Sequence, residues 1–248
     1  MCTLSVLRWP IPVVHNQDES PLWRVGFNRD ERRTRPPALP PARHVYDDRA
    51  AVHPLDPLGG GTWIAASAAG LVFALLNGYS SADSGPHPRK SRGLIIPALL
   101  SADTLDAATA RVRALDPGAF LSFRLVMIAD DGAREAVSDG RQLECRDVRE
   151  GEAWIRSSSS VRPEIVLPSR ETMFRDDVVP SSSAAAQDRF HLTRHAADPA
   201  LGVLMERDDA RTMSVTTVEV FAAHVRMTYR PLEPDAAPAI VTLARQRR

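Results

Sequence analysis

Apolar and polar residues alternate over residues 3–9 and again over 22–28, the period of a strand with one buried face, so the chain is expected to open with two antiparallel strands. From 32 to 57 the pattern breaks. Pro36, Pro37, Pro40, Pro41, Pro54 and Pro57 each remove a backbone donor, and this segment reads as a long irregular loop. Near-continuous apolar runs at 62–66 and 71–76 follow Gly59-Gly60-Gly61 and predict a hairpin of two central strands, buried on both faces. Ser80, Ser81, Gly85, Pro86 and Pro88 mark a second loop, ahead of a short helix opening near Pro97. Helical spacing then runs to about Leu115, with Leu105, Ala108 and Val112 on one face and Ser101 or Asp103 as the expected cap. Strands at 123–129, 134–137 and 143–148, separated by Asp130-Asp131-Gly132 and Asp139-Gly140, predict an antiparallel meander. A strand at 154–158, helices at 169–174 and 183–195, and strands at 202–206, 211–220 and 225–229 complete the pattern. Strands, then helices, then strands, with antiparallel connections and no repeat or linker, predict one α+β layered domain spanning residues 1–248.

Composition narrows the classes of function. At 248 residues and 44% hydrophobic, the chain can fill a core, and its 31 Lys+Arg balance 31 Asp+Glu, so no nucleic-acid partner is expected. The longest uncharged apolar stretch, 63–76, is interrupted by Ser67 and Gly70 and falls short of the roughly 20 residues of a membrane-spanning helix. The opening Met-Cys-Thr-Leu has no basic leader and no small-residue cleavage site, which predicts a cytoplasmic protein without a membrane span. Two cysteines, Cys2 and Cys145, are too few for a disulfide framework or a four-thiolate zinc site, and Cys145 reads as a small buried strand residue. His191 and His195 sit four apart on a predicted helix near Asp188 and Asp198. Without a glutamate-bearing ligand pattern they read as structural or surface residues, and no metal or cofactor is expected.

Cys2 is the residue at which chemistry concentrates. Removal of Met1 leaves it with a thiol and a free α-amine whose unperturbed pKa is about 8, so one residue can act as both nucleophile and base. Behind the initial Met-Cys come Asn28-Arg29-Asp30-Glu31, Gly60-Gly61-Thr62-Trp63, Gly70-Leu71-Val72-Phe73-Ala74-Leu75-Leu76-Asn77 and Ser91-Arg92-Gly93, in that order. In these motifs the sequence resembles the NRDE family, also called the transport and Golgi organisation family, specifically over residues 1–93 and faintly at 206–220.

That resemblance implies a branch of the N-terminal nucleophile (Ntn) hydrolases, similar to the cysteine acylases of linear amides such as bile-salt and penicillin V amides. It implies an Ntn-hydrolase-like αββα sandwich of largely antiparallel sheets. By the same resemblance Cys2 matches the nucleophile, Asp30 the carboxylate beside the N-terminal amine, and Asn77 an oxyanion-hole donor. Those acylases carry Arg-Asn-x-Asp where this chain has Phe27-Asn28-Arg29-Asp30, a displacement of two that keeps the arginine on the same strand face. No second oxyanion asparagine is matched. Asn28, Arg29, Trp63 and Arg92 are candidate ligand-binding residues, Arg92 through a bidentate fork for carboxylate or phosphate. Gly59-Gly60-Gly61 lacks the Lys-Ser/Thr of a phosphate loop and is expected to let backbone pass close beside the site. Two functions remain open: hydrolysis of a small-molecule linear amide through an acyl-Cys2 intermediate, or non-catalytic binding and trafficking of a hydrophobic anionic ligand. Resemblance to eukaryotic relatives implies haem, acyl-CoA or lipid for the second.

Overall fold

A computed structural model describes residues 1–9, 14–15, 18–84 and 89–246, so the predicted turn residues Gly85, Pro86 and Pro88 lie outside the described residues. Two antiparallel sheets of six and seven strands, with helices, make the chain α+β as the pattern predicted. The chain divides into two compact units. The first comprises Met1–Pro36, Glu150–Ala222 and Thr228–Ile240, the second Pro37–Arg149, Ala223–Met227 and Val241–Arg248. No helix among the described residues is long and apolar enough to cross a membrane.

The six-stranded sheet has the order β12 (Ala153–Ser158), β1 (Cys2–Arg8), β4 (Trp23–Arg32), β13 (Ala210–Val220), β14 (His224–Pro231) and β15 (Ala239–Ala244). A short hairpin of β2 (Val14–His15) and β3 (Asp18–Glu19) lies between β1 and β4 in sequence. β1 is an interior strand, and its alternation sends Cys2, Leu4 and Val6 to one face and Thr3, Ser5 and Leu7 to the other. On the second face Leu7 packs with Phe174, Val178, Phe190 and Val203 beneath α2 (Pro163–Asp177) and α3 (Ala184–His191). The rings of Phe174 and Phe190 meet edge to face at 5.3 Å and pin the two helices together. Ser183 caps α3 by accepting from the Ala186 N–H at 3.2 Å, while Pro163 occupies the first turn of α2.

Three expectations for this unit are corrected. α2 is longer than the expected 169–174, and α3 ends at His191, so His195 lies beyond the helix and does not share a helical face with it. His195 instead accepts the Asp198 N–H at 3.0 Å. Residues 202–206 form no strand, only a bridge from Glu206 to Arg211. The physical reason is that β13 already has β4 and β14 on its two edges, and the carbonyls of Gly202 and Val203 are taken by Arg170 and Asn28 side chains. β15, which carried no clear sequence signal, supplies the sheet edge.

In the second unit the order is β11 (Leu143–Asp147), β10 (Gly132–Ser138), β9 (Phe123–Ala129), β8 (Val72–Asn77), β7 (Ile64–Ser67), β6 (Arg49–Leu55) and β5 (Leu39–Tyr46). The proline-rich segment is therefore not a loop; much of it is the β5–β6 hairpin. It turns on Asp47 and Asp48, both left-handed at φ 45° and 65°. Its prolines are tolerated by position: β5 is an edge strand whose register shifts between Leu39 and Ala42, where Pro40 and Pro41 sit, and Pro54 lies beyond the two residues of β6 that pair with β7. The predicted β7–β8 hairpin is interior, as expected. α1 (Leu105–Arg113) is capped by Thr104, which accepts from the Ala107 N–H at 3.1 Å, rather than by Ser101 or Asp103; Asp103 pairs with Arg49. Leu105, Ala108 and Val112 bury against Phe73, Leu125 and Met127 of the sheet, and Cys145 packs partly buried at the edge of the same core.

Candidate active site on the six-stranded sheet

The run Asn28-Arg29-Asp30 continues β4 and is not a solvated turn. β1 pairs with Asn28 and Arg29 and β13 with all three residues, and the three side chains are all buried. Antiparallel register then sorts them. Arg29 stands opposite Cys2 and Asn28 opposite Thr3, so Arg29 shares the Cys2 face while Asn28 and Asp30 point to the face covered by α2 and α3.

On that helix side, the Asp30 carboxylate meets Arg170 of α2 at 3.6 Å, both side chains being 0% exposed. Thr212 donates to the other carboxylate oxygen at 2.7 Å. The Arg170 guanidinium is held by four further acceptors: the Thr3 hydroxyl and the Gly202 carbonyl, each at 2.6 Å, the Met1 sulfur at 3.3 Å and the Leu201 carbonyl at 3.5 Å. Burial pushes the Asp30 carboxyl above the usual carboxylate range, and Arg170, the N-terminal ammonium and Thr212 oppose that push. Sequence reasoning missed Arg170. Its signal was present in the spacing of Val166, Arg170 and Phe174, which places a cation in the buried stripe of α2.

The Cys2 thiol is buried too. Burial raises its pKa; the N-terminal ammonium, the Asp30 backbone and Arg29 counter this, while the Asp30 charge adds to it. Such a thiol is protonated near neutrality and needs a base before it can attack. Met1 carries the α-amine, and its side chain fills an apolar niche of Val166, Met205 and Ala210, with Leu201 alongside. Arg29 lies 3.6 Å from Glu31, which also faces Arg35 at 3.5 Å, so an anion arriving at Arg29 meets a guanidinium already partnered by a carboxylate.

Asn28 is fully engaged within the fold. Its amide nitrogen donates to the carbonyls of His191 and Val203 at 2.9 and 2.8 Å, which leaves its oxygen to accept from His191 Nδ1 at 2.5 Å. Nε2 of that histidine then accepts the Ser5 hydroxyl at 2.6 Å, and Gln187 donates to Ser5 at 2.8 Å. Ser5, His191 and Asn28 thus have the order of a nucleophilic triad, but Ser5 and Asn28 are 0% exposed and His191 2%, sealed beneath α3. Burial, with Arg24 and Arg170 adding to it, lowers the imidazole to about 3, so it stays neutral and braces α3 to the sheet. The ring also explains Gly26, where a Cβ would fall 2.2 Å from His191 Nε2.

Cys2, Asn28, Arg29 and Asp30 are therefore brought together in the first unit. Trp63, Asn77 and Arg92 belong to the second. There Asn77 ends β8 opposite Phe123, and Trp63 is buried just before β7, its carbonyl accepting the Leu75 N–H at 2.8 Å. Arg92 donates to the Ser122 carbonyl at 2.8 Å. At the glycine run the close backbone passage is against the 91–93 motif of the same unit: a Cβ on Gly61 would lie 2.3 Å from the Gly93 carbonyl, and the Thr62 N–H donates to that carbonyl at 3.0 Å. Among the described residues no group of three or more His, Cys, Asp or Glu could hold a metal ion.

A family model described as Transport and Golgi organisation 2 matches residues 24–170, more than half of the chain. No curated protein matches it in sequence. Among solved structures, the C2A mutant of conjugated bile acid hydrolase from Clostridium perfringens is similar at TM-score 0.58 and 11% identity, over 98% of this chain and 92% of that one. A second variant of that hydrolase gives 0.58 at 12% identity over the same shares. An N-acylethanolamine-hydrolyzing acid amidase ortholog from Caenorhabditis elegans gives 0.56 at 9% identity, over 88% of this chain and 92% of that one. Identities this low speak for fold alone, and the fold is the Ntn-hydrolase-like α+β arrangement that the motifs implied.

Proposed function

The chain belongs to the Transport and Golgi organisation 2 family, and from that premise we propose that it is a cysteine amidohydrolase in which Cys2, freed by removal of Met1, cleaves a linear amide. The observation that carries this reading is the setting of Cys2. A buried thiol whose pKa burial raises sits at the start of an interior strand, opposite Arg29, with the charges of the Asp30–Arg170 pair on the other face of the same strands. Loss of Met1 transfers the α-amine to Cys2, placing a base next to a thiol that needs one. Asp30 and Arg170 have opposite effects on that amine: the carboxylate orients it and favours its charged form, and the guanidinium favours the neutral form that can take a proton. The role of oxyanion donor for Asn77 rests on the family resemblance. The bile acid hydrolase and acid amidase named among the structural relatives favour a small-molecule amide as substrate. Both cysteines are free, which fits a reducing cytoplasmic location.

The test is the intact mass of purified protein before and after an acylating probe, followed by location of the adduct. Loss of Met1 with modification of Cys2 over Cys145 supports the reading, and an unreactive Cys2 in processed protein rejects it. One observation favours the alternative of non-catalytic binding of haem, acyl-CoA or another hydrophobic anionic ligand. Met1 is itself packed, 8% exposed, with its sulfur against Arg170, as suits a chain that keeps it. Retained Met1 together with saturable ligand binding would favour that alternative.

A further inference from the structure

β12 ends on Ser157 and Ser158, Ser159 follows it, and the three hydroxyls have different environments. Ser157 donates to the Thr3 hydroxyl at 3.4 Å, on the helix-covered face. Ser159 donates to the Val161 carbonyl at 2.5 Å and accepts the Val161 N–H at 3.2 Å, which fixes the turn that follows the strand. Ser158 lies between them, only 7% exposed, and its Oγ has no hydrogen-bond partner among the described residues. A buried hydroxyl left in that state carries a desolvation cost that alanine would avoid.

Register gives the position of this hydroxyl a meaning. Ser158 pairs directly with Cys2 across β12 and β1, and Cys2 pairs with Arg29 across β1 and β4. Opposed residues of antiparallel strands present their side chains on the same face with Cβ atoms about 4.5–5.5 Å apart. Ser158, Cys2 and Arg29 therefore form one row across three strands, with an uncommitted O–H beside the sulfur. A carbonyl group bonded to that sulfur falls within reach of the hydroxyl.

Building on the amidohydrolase reading, we infer that Ser158 is a catalytic residue, donating a hydrogen bond to the acyl oxygen of a substrate attacked by Cys2. As the Cys2 sulfur bonds to the carbonyl carbon, the C=O electron pair moves onto oxygen and the thiol proton passes to the α-amine. Ser158 stabilises that oxyanion and keeps its own proton. Collapse restores C=O and breaks the C–N bond, and the proton held on the α-amine leaves with the amine product. Water then releases the acyl group from sulfur by the same sequence, with Ser158 again donating to the oxyanion.

The experiment compares two reagents on Met1-processed protein. p-Nitrophenyl acetate acylates the thiol through an oxyanion, whereas iodoacetamide alkylates it without one. Ser158→Ala is expected to slow acylation of Cys2 by roughly 10- to 100-fold while alkylation stays within about twofold, and Ser158→Thr, which keeps the hydroxyl, to recover most of the acylation rate. Unchanged acylation in Ser158→Ala overturns the assignment. So does an equal loss with both reagents, which would report a disturbed thiol rather than a lost donor. A wild-type Cys2 inert to both reagents would reject the amidohydrolase reading and this donor with it. That outcome is visible before any serine is changed.

Discussion

Asp30 on β4 and Arg170 on α2 carry opposite charges 3.6 Å apart with neither side chain reaching solvent. A pair enclosed in this way is strongly coupled, because removing either partner strands the other charge in the protein interior. Arg170→Met is therefore expected to cost about 3–5 kcal/mol in urea unfolding, with the Asp30→Asn/Arg170→Met double variant regaining a large part of the loss. A single variant within 1 kcal/mol of wild type would contradict the coupling. It follows that Asp30→Asn lowers stability as well as rate, so its kinetics belong well below its reduced melting temperature.

The buried imidazole of His191 makes stability depend on acid. Its folded pKa is lowered from 6.5 to about 3, so between those values the unfolded chain binds a proton that the folded chain refuses. Stability is accordingly full above pH 6.5 and falls on acidification at about 1.4 kcal/mol per pH unit from this group. Urea midpoints measured from pH 7 to pH 4 should show the slope, and His191→Gln should flatten it by about that amount. Parallel curves for the two proteins would mean that the histidine is protonated in the fold.

Gly26→Ala places a methyl group 2.2 Å from His191 Nε2, against a ring held by Ser5 and Asn28. Because the ring is clamped on both nitrogens it has little freedom to retreat, and the expected loss is about 1–3 kcal/mol. Thermal unfolding measures it. The double variant Gly26→Ala/His191→Ala should be closer to His191→Ala than additivity allows, since the clash vanishes with the ring.

Cys2→Ala separates chemistry from folding. The side chain is small, and its removal is expected to change stability by about 1 kcal/mol while abolishing acyl transfer. Retained turnover in a chemically defined amide assay would remove Cys2 from the mechanism.

Cys2, Asn28, Arg29 and Asp30 are put forward by the motifs of the family resemblance, and the expected strand stops at residue 28, whereas β4 carries the run on to Arg32. Ser158 could not be read from the sequence, since its importance comes from strand register, which no local window records, and Arg170 left only the helical spacing it shares with Val166 and Phe174, which does not name Asp30 as its partner. The hairpin of β5 and β6 was missed for a related reason: proline opposes strands in general, yet at an edge and past the last paired residue it breaks no ladder bond. The segment at 202–206 misled in the opposite direction. It is apolar enough for a strand, but no sheet edge was open to it.

The contact between Gly61 and Gly93 sets how far each motif can vary. A methyl on Gly61 collides with a backbone carbonyl that cannot swing aside, whereas one on Gly93 meets the Thr62 nitrogen at 3.2 Å, tight but open to a small adjustment. In a library randomised at both sites, position 61 should return glycine alone and position 93 should admit alanine. Thirty-two positions apart in the chain, the two sites share a single allowance of space, and drift at one is limited by what the other has left free.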